Sequence, residues 1–220
     1  TLRPIITLAP ASQLLADDSR IVILASLLGA LAMLALYNLI RFSYLRNAPS
    51  LWLASSQTTL LLSAMHLLGM VPDWLHLLQP LQSPLGSLLI LLCMFTTAGF
   101  FRSFMRWPQS HPTTQRVLAA TMIALAACLP LPFLLDEAQT TMLLMLAGIL
   151  TLSLLLPLAS RHWLNGHQPA SLLCAALVVV LLISIGGIGF FYNIPPFSML
   201  NQTYWVLLGA LVASILNNMA

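Results

Sequence analysis

The chain has 220 residues, of which 60% are hydrophobic and 6% charged, with a mean hydropathy of +0.95. A soluble domain carries about 25% charged residues, so the composition excludes an ordinary water-soluble fold; at about 20 apolar residues per spanning helix, the length admits at most about eight spans. The +3 charge is the balance of eight arginines and five acids with no lysine, which is too little for a nucleic-acid footprint and excludes a retinal Schiff base, which needs a lysine amine.

The elements, in chain order, predict an all-α, integral membrane seven-helix bundle. Residues 1–18 hold a short β-like run, Ile5–Leu8, between Pro4 and Pro10, and read as the end of an extracytoplasmic sensor domain with its linker. Asp17, Asp18 and Ser19 then supply helix-start chemistry. Residues 19–220 form the membrane domain, with helices expected at about 19–42, 50–70, 84–105, 113–135, 139–163, 170–192 and 203–220. Val71–Ser83 contains two prolines and Trp74; it is too short and interrupted to span and suits an interfacial loop or short amphipathic helix. Pro84 is expected in a first helical turn, where proline is tolerated. Pro130 and Pro132 should kink or fray the end of helix 4, and Pro157 should kink helix 5. Gly186, Gly187 and Gly189 weaken the end of helix 6 and are the candidate hinge.

The charges orient this bundle. Between helices 1 and 2 lies a tight turn with Arg41, Arg46, Asn47 and Pro49, and short basic turns mark the cytoplasmic side. Counting spans from there puts Arg41, Arg46, Arg102, Arg106, Arg116 and Arg161 inside, with Arg3 and Arg20 outside. All five acids, Asp17, Asp18, Asp73, Asp136 and Glu137, fall outside. The expected topology is N-terminus out and C-terminus in, with the inner arginines at anionic headgroups.

Polar residues within spans are costly unless satisfied, so they mark either function or helix–helix contacts. Ser56, Thr59, Ser63 and His66 recur at helical spacing on one face of helix 2 and are the candidate ligand-binding stripe; interhelical hydrogen bonding is the plainer reading. His66 has no second histidine at its depth on another span, which argues against haem ligation. Cys93, Cys128 and Cys174 lie in separate apolar runs and read as packing residues. No nucleophile–base pair, intramembrane carboxylate pair or metal motif can be composed, so no catalytic residue, metal or cofactor is assigned. Small residues four apart on helix 1 (Ala25 and Gly29) and helix 7 (Gly209 and Ala213) permit close packing, including a homodimer. A small-solute transporter or channel subunit is the alternative class, weakened by the lack of acids within spans.

Three blocks carry a resemblance. YNLIRFSYLRNAPSLWLASSQTTLLL, with Tyr37, Asn38, Leu39, Leu45, Arg46 and Trp52, resembles the first hairpin of the bacterial seven-transmembrane receptors with diverse intracellular signalling modules. Phe100–Met105 (FFRSFM) is similar to that family's segment at the inner end of helix 3, and NQTYWVLLGALVASILNN to its last helix. Unlike the family pattern, the inner loops lack lysine and helix 2 has few aromatics beyond Trp52. The resemblance implies a sensor of the RetS or LadS type in the bacterial inner membrane. An extracytoplasmic β-sandwich and a cytoplasmic output module would flank the bundle. The implied output is a histidine kinase, often hybrid, of a two-component system, or in second place a diguanylate cyclase. The chain starts at Thr1 and stops at Ala220 with no charged flank, so a domain cut from a longer protein is expected. Its partners would be the lipid bilayer and its own sensor and output domains, with no nucleic acid.

Overall fold

The computed structural model describes residues 11–67, 79–105, 112–166, 168–191 and 202–219, and in these the protein is all-helical. Seven α-helices follow one another: α1 (Ala11–Leu45), α2 (Ala48–Leu67), α3 (Gln79–Phe104), α4 (Pro112–Cys128), α5 (Glu137–Leu164), α6 (Pro169–Phe191) and α7 (Gln202–Met219). Ile21–Leu45, Pro84–Phe104, Pro112–Phe133 and Ala138–Leu164 are long and apolar enough to cross a membrane, and shorter apolar stretches lie in α6 and α7. The outward side chains are large and apolar, among them Met33, Ile123, Met142, Ile149 and Leu182, as hydrocarbon solvent requires.

Several helix ends differ from expectation. α1 starts at Ala11, not near Ser19, so Asp17 and Asp18 lie inside a helix that they were expected to start. With 35 residues it is about 52 Å long, against a hydrocarbon core of about 30 Å, and residues 11–20 precede the apolar span. α3 starts at Gln79, which takes 79–83 out of the expected interfacial loop and puts Pro84 inside the helix rather than in its first turn. Pro80 lies in the first turn of α3, where proline is tolerated, and Pro84 removes one intrahelical donor in the second turn. α4 stops at Cys128, well short of residue 135; Pro130 allows only a turn of 3-10 helix, Leu131–Phe133, before α5 begins after Asp136. Pro157 sits within α5. The β-like run Ile5–Leu8, residues 68–78 and Arg106 lie outside the described residues.

The α1–α2 turn needs only Arg46 and Asn47. Arg46 takes a left-handed conformation (φ 46°), and its N–H donates to the Phe42 carbonyl at 2.7 Å. Asn47 then caps α2, its Oδ1 accepting from Ser50 N–H at 3.3 Å. The α5–α6 turn is closed by Gly166 at φ 90°, with its N–H on the Trp163 carbonyl. Gln115 of α4 donates Nε2 to the Met105 carbonyl at 3.1 Å, tying the start of α4 to the end of α3.

Around the bundle, α1 packs on α2, α2 on α3, α3 on α4 and α5, α5 on α6, α6 on α7, and α7 back on α1 and α2. The α2–α3 contact is the most extensive, and two glycines of α3 explain its closeness. A Cβ on Gly99 would lie 2.5 Å from Trp52 Cε3, and one on Gly86 would lie 2.7 Å from His66 Cδ2. Each glycine is a socket for a ring on α2, and Trp52 also meets Phe95 edge-on at 5.8 Å. One apolar cluster joins Leu53, Phe101, Leu118, Leu155 and Leu173 from five helices, a second joins α3, α4 and α5 about Leu91 and Leu125, and a third joins α1, α2 and α7 through Leu31, Ala64 and Leu207. The small residues Gly209, Ala210, Ala213 and Ser214 of α7 are buried within the bundle, whereas Ala25 and Gly29 of α1 face outward.

The sockets yield a graded expectation. Gly99→Ala should destabilise the bundle by about 1–3 kcal/mol, the range for overpacking, because the rigid Trp52 ring blocks the added methyl. Gly29→Ala, with nothing within 4 Å of the new Cβ, should be neutral or slightly stabilising. Thermal unfolding of the purified protein in detergent would rank the two.

Candidate functional site

α2 carries a dense run of polar residues, Ser55–Thr59, followed by Ser63 and His66, and its polar groups form two seams. The first is the expected stripe. Thr59 and Ser63 are buried, while Ser56 and His66 are half-buried. The Ser56 and Thr97 hydroxyls share a hydrogen bond at 2.8 Å, and those of Thr59 and Thr96 meet at 3.5 Å. Cys93 Sγ donates to the Ser56 carbonyl at 3.8 Å. The remaining hydroxyl hydrogens return to the backbone: Thr59 to Ser55 and Ser56, Ser63 to Thr59, and Thr96 to Leu92 and Cys93. The stripe therefore faces α3 and holds the helix pair together. Its last member, His66, lies over Gly86 with a buried Nδ1 that has no partner.

The second seam lies about 100° round α2, one residue from Ser56, at Gln57. Asn38 of α1 is 0% exposed and Gln57 2% exposed, deep burial for two primary amides. Asn38 Nδ2 donates to Gln57 Oε1 at 3.0 Å and to the Leu34 carbonyl at 3.0 Å. The same Nδ2 donates to Asn218 Oδ1 of α7, whose own Nδ2 is held on the Ser214 carbonyl at 2.8 Å. One amide of α1 thus joins α2 and α7. Among the described residues, Asn38 Oδ1, Gln57 Nε2 and Asn217 Oδ1 are buried without partners; an unsatisfied buried donor or acceptor costs about 1–3 kcal/mol.

The amide node lies at the arginine end. Asn218 is near the end of α7, Asn38 two turns from the end of α1, and Gln57 three turns into α2. Trp52 on Gly99 and Ser56 on Thr97 bring the end of α3, with Arg102, beside the start of α2. Gln115 brings the start of α4, with Arg116, to the same end. Cys174 Sγ donates to Ser160 Oγ at 3.8 Å, and Phe101 clusters with Leu155 and Ala159, so Arg161 of α5 lies there too. Arg41, Arg46, Arg116 and Arg161 are exposed and Arg102 is half-buried, its Nε without a partner. Asp136 stands at the N-cap position of α5, at its far end, without a side-chain capping bond. Gly186, Gly187 and Gly189 lie within a continuous α6.

The cysteines are free, and among the described residues no group of three His, Cys, Asp or Glu side chains is placed to hold a metal. The chemistry available here is hydrogen bonding between helices. The amide node escapes a search for one-face periodicity because its members are 19 and 180 residues apart; the signal that finds it is simply an amide inside an apolar run.

A polytopic helical bundle with its polar groups turned inward and its arginines at one end is a multi-pass membrane domain. A family model described as 7TM diverse intracellular signalling matches residues 20–220, and the chain belongs to that family. It is a seven-helix domain of the signalling-receptor class. No curated protein and no solved structure matches it.

The two seams should differ in weight. A double-mutant cycle on Ser56→Ala and Thr97→Ala should give a coupling near ~0.6 kcal/mol, the average for such pairs in membranes. Asn38→Leu strands the Gln57 and Asn218 amide oxygens but removes the unpartnered Asn38 Oδ1, so the net loss of one satisfied group should cost about 1–3 kcal/mol. Equilibrium unfolding in mixed micelles would measure both.

Proposed function

We propose that this domain relays an extracytoplasmic signal to a cytoplasmic output module, with the N-terminus of the bundle outside and its C-terminus inside the bacterial inner membrane. The observation that carries the reading is the amide node, in which Asn38 holds α1, α2 and α7 together at the arginine end of the bundle. α1 runs unbroken from Ala11 to Leu45, so displacement at its first turns is delivered along one rigid element to Asn38. α7 is the last helix of the bundle, so its position is what a following module can sense. Residues 1–18 are then the link from a sensor domain. The output we favour is a histidine kinase, often hybrid, of a two-component system, in keeping with the signalling family to which the chain belongs. A diguanylate cyclase is the second output.

Within this reading the six arginines Arg41, Arg46, Arg102, Arg106, Arg116 and Arg161 meet anionic headgroups on the cytoplasmic face. Gly186, Gly187 and Gly189 supply compliance near the outer end of α6, and a ligand biases two packings of the bundle. The stripe Ser56, Thr59, Ser63 and His66 is mostly committed to α3, which leaves His66 as its member with binding capacity to spare. The exposed Ala25 and Gly29 of α1 offer the face for a homodimer. An ion-coupled transporter gains nothing from the described side chains, whose one carboxylate, Asp136, is exposed at a helix cap.

Two measurements test this. Cysteines introduced at Tyr44 and at Leu134, both exposed, should react with an impermeant thiol reagent from the cytoplasmic and the outer side respectively. In the intact protein, Gly186→Leu with Gly187→Leu should suppress the signal-dependent change in output phosphorylation; an unaltered response would remove the hinge from the mechanism.

A further inference from the structure

The amide node has a stoichiometric conflict. Asn38 Nδ2 carries two hydrogens but faces three acceptors: the Leu34 carbonyl, Gln57 Oε1 and Asn218 Oδ1. At any instant one acceptor goes without. Meanwhile Gln57 Nε2 has a donor to give and Asn38 Oδ1 an acceptor to offer, and both are buried and unpartnered. These two stranded groups are complementary and belong to neighbouring amides already joined by one hydrogen bond.

We infer that the node is a partner-exchange switch, in which Asn38 either bridges to Asn218 and holds α7 or closes a reciprocal amide pair with Gln57 and lets α7 go. In the first arrangement α7 is tied to α1, and the Gln57 donor and Asn38 acceptor stay stranded. In the second, Asn38 Nδ2 donates to Gln57 Oε1 while Gln57 Nε2 donates to Asn38 Oδ1. The other Asn38 hydrogen stays on the Leu34 carbonyl, and Asn218 Oδ1 loses its donor. The held arrangement strands Gln57 Nε2 and Asn38 Oδ1; the released one strands Asn218 Oδ1 and gives up apolar contact of α7 with Leu31 and Ala64, so the two costs oppose each other. That balance is what a weak mechanical input through α1 requires, since an input shifts an equilibrium only by its differential effect on the two states. A fully satisfied node would lock the helices. An apolar contact would have no second set of partners.

This inference rests on the relay reading, but it can be read without any signalling output. The intact protein, reconstituted in lipid nanodiscs with Cys93, Cys128 and Cys174 replaced by alanine, would carry nitroxide labels at Leu164 of α5 and Met219 of α7, both exposed. Pulsed electron paramagnetic resonance would give the interspin distance distribution, expected to contain a held and a released population. Gln57→Leu removes the competing partner and should raise the held-to-released ratio roughly fivefold, the shift that one net hydrogen bond supports. Asn218→Leu should lower it by a similar factor. Opposite shifts support the exchange. Shifts in the same direction would mean that both variants merely loosen the packing, and an unshifted Gln57→Leu protein would show that Gln57 does not compete; either result overturns the proposal. Gln57→Met, of similar length without the amide, replaces the leucine variant if that variant does not fold. If the populations exchange as expected but output in the intact receptor ignores both variants, the switch stands and the relay reading fails.

Discussion

The architecture depends on one constraint: α2 carries an unbroken run of five polar residues, Ser55–Thr59, at its middle, and in hydrocarbon each must find a partner inside the protein. A helix with Ser55, Ser56, Gln57, Thr58, Thr59 and Ser63 in sequence cannot turn most of its circumference to lipid. It has to be surrounded, and α1, α3 and α7 surround it. The position of α2 therefore sets the order of the bundle. α3 takes the hydroxyl seam, and α1 and α7 take the amide seam. α4, α5 and α6, whose contacts are mostly apolar, complete the ring on the side of α3.

The two seams do different mechanical work. On the α3 side, rings of α2 sit in glycine sockets, with Trp52 over Gly99 and His66 over Gly86. Hydroxyl pairs between the sockets mostly return their hydrogens to backbone carbonyls. Interlocked shapes of this kind resist sliding, and close-packed contacts are not continuously deformable. On the α1–α7 side the apolar cluster is small, with Leu31, Ala64 and Leu207 at its centre, and the polar contact is made by three amides with unmet capacity. The bundle thus has a stiff half and an adjustable seam, and the adjustable seam joins the first helix to the last.

Much of this was legible in the sequence. The apolar runs and turn residues place all seven helices, because periodicity and solvent preference are local properties. Of the six arginines expected on one side, the five among the described residues, Arg41, Arg46, Arg102, Arg116 and Arg161, lie at one end of the bundle. The stripe at residues 56, 59, 63 and 66 is a true face, because helical spacing alone defines it. Helix ends were less legible. Asp17 and Asp18 look like a cap, yet helix continues through them, and Pro84 looks like a first turn, yet the helix starts five residues earlier. Such residues permit a terminus without requiring one. The amide node was hidden for a different reason: Asn38, Gln57 and Asn218 meet only when the ring closes, and nothing local at Asn218 tells of α1. The glycine sockets were equally silent, because which ring fills Gly99 is a property of the α2–α3 pairing.

Ring closure is also what gives the node its consequence. A hydrogen bond between sequence neighbours would report only local order, whereas Asn38 and Asn218 join residues 180 apart at the two ends of the chain of helices. In the proposed relay, a tilt or translation of α1 that moves Asn38 relative to α2 shifts the balance between its Gln57 and Asn218 partners. Under that proposal, the close-packed α2–α3 pair would direct motion of α1 to the amide seam instead of dispersing it through the bundle. What the proposed relay would use is one fixed helix, two neighbours and a polar contact with more acceptors than hydrogens.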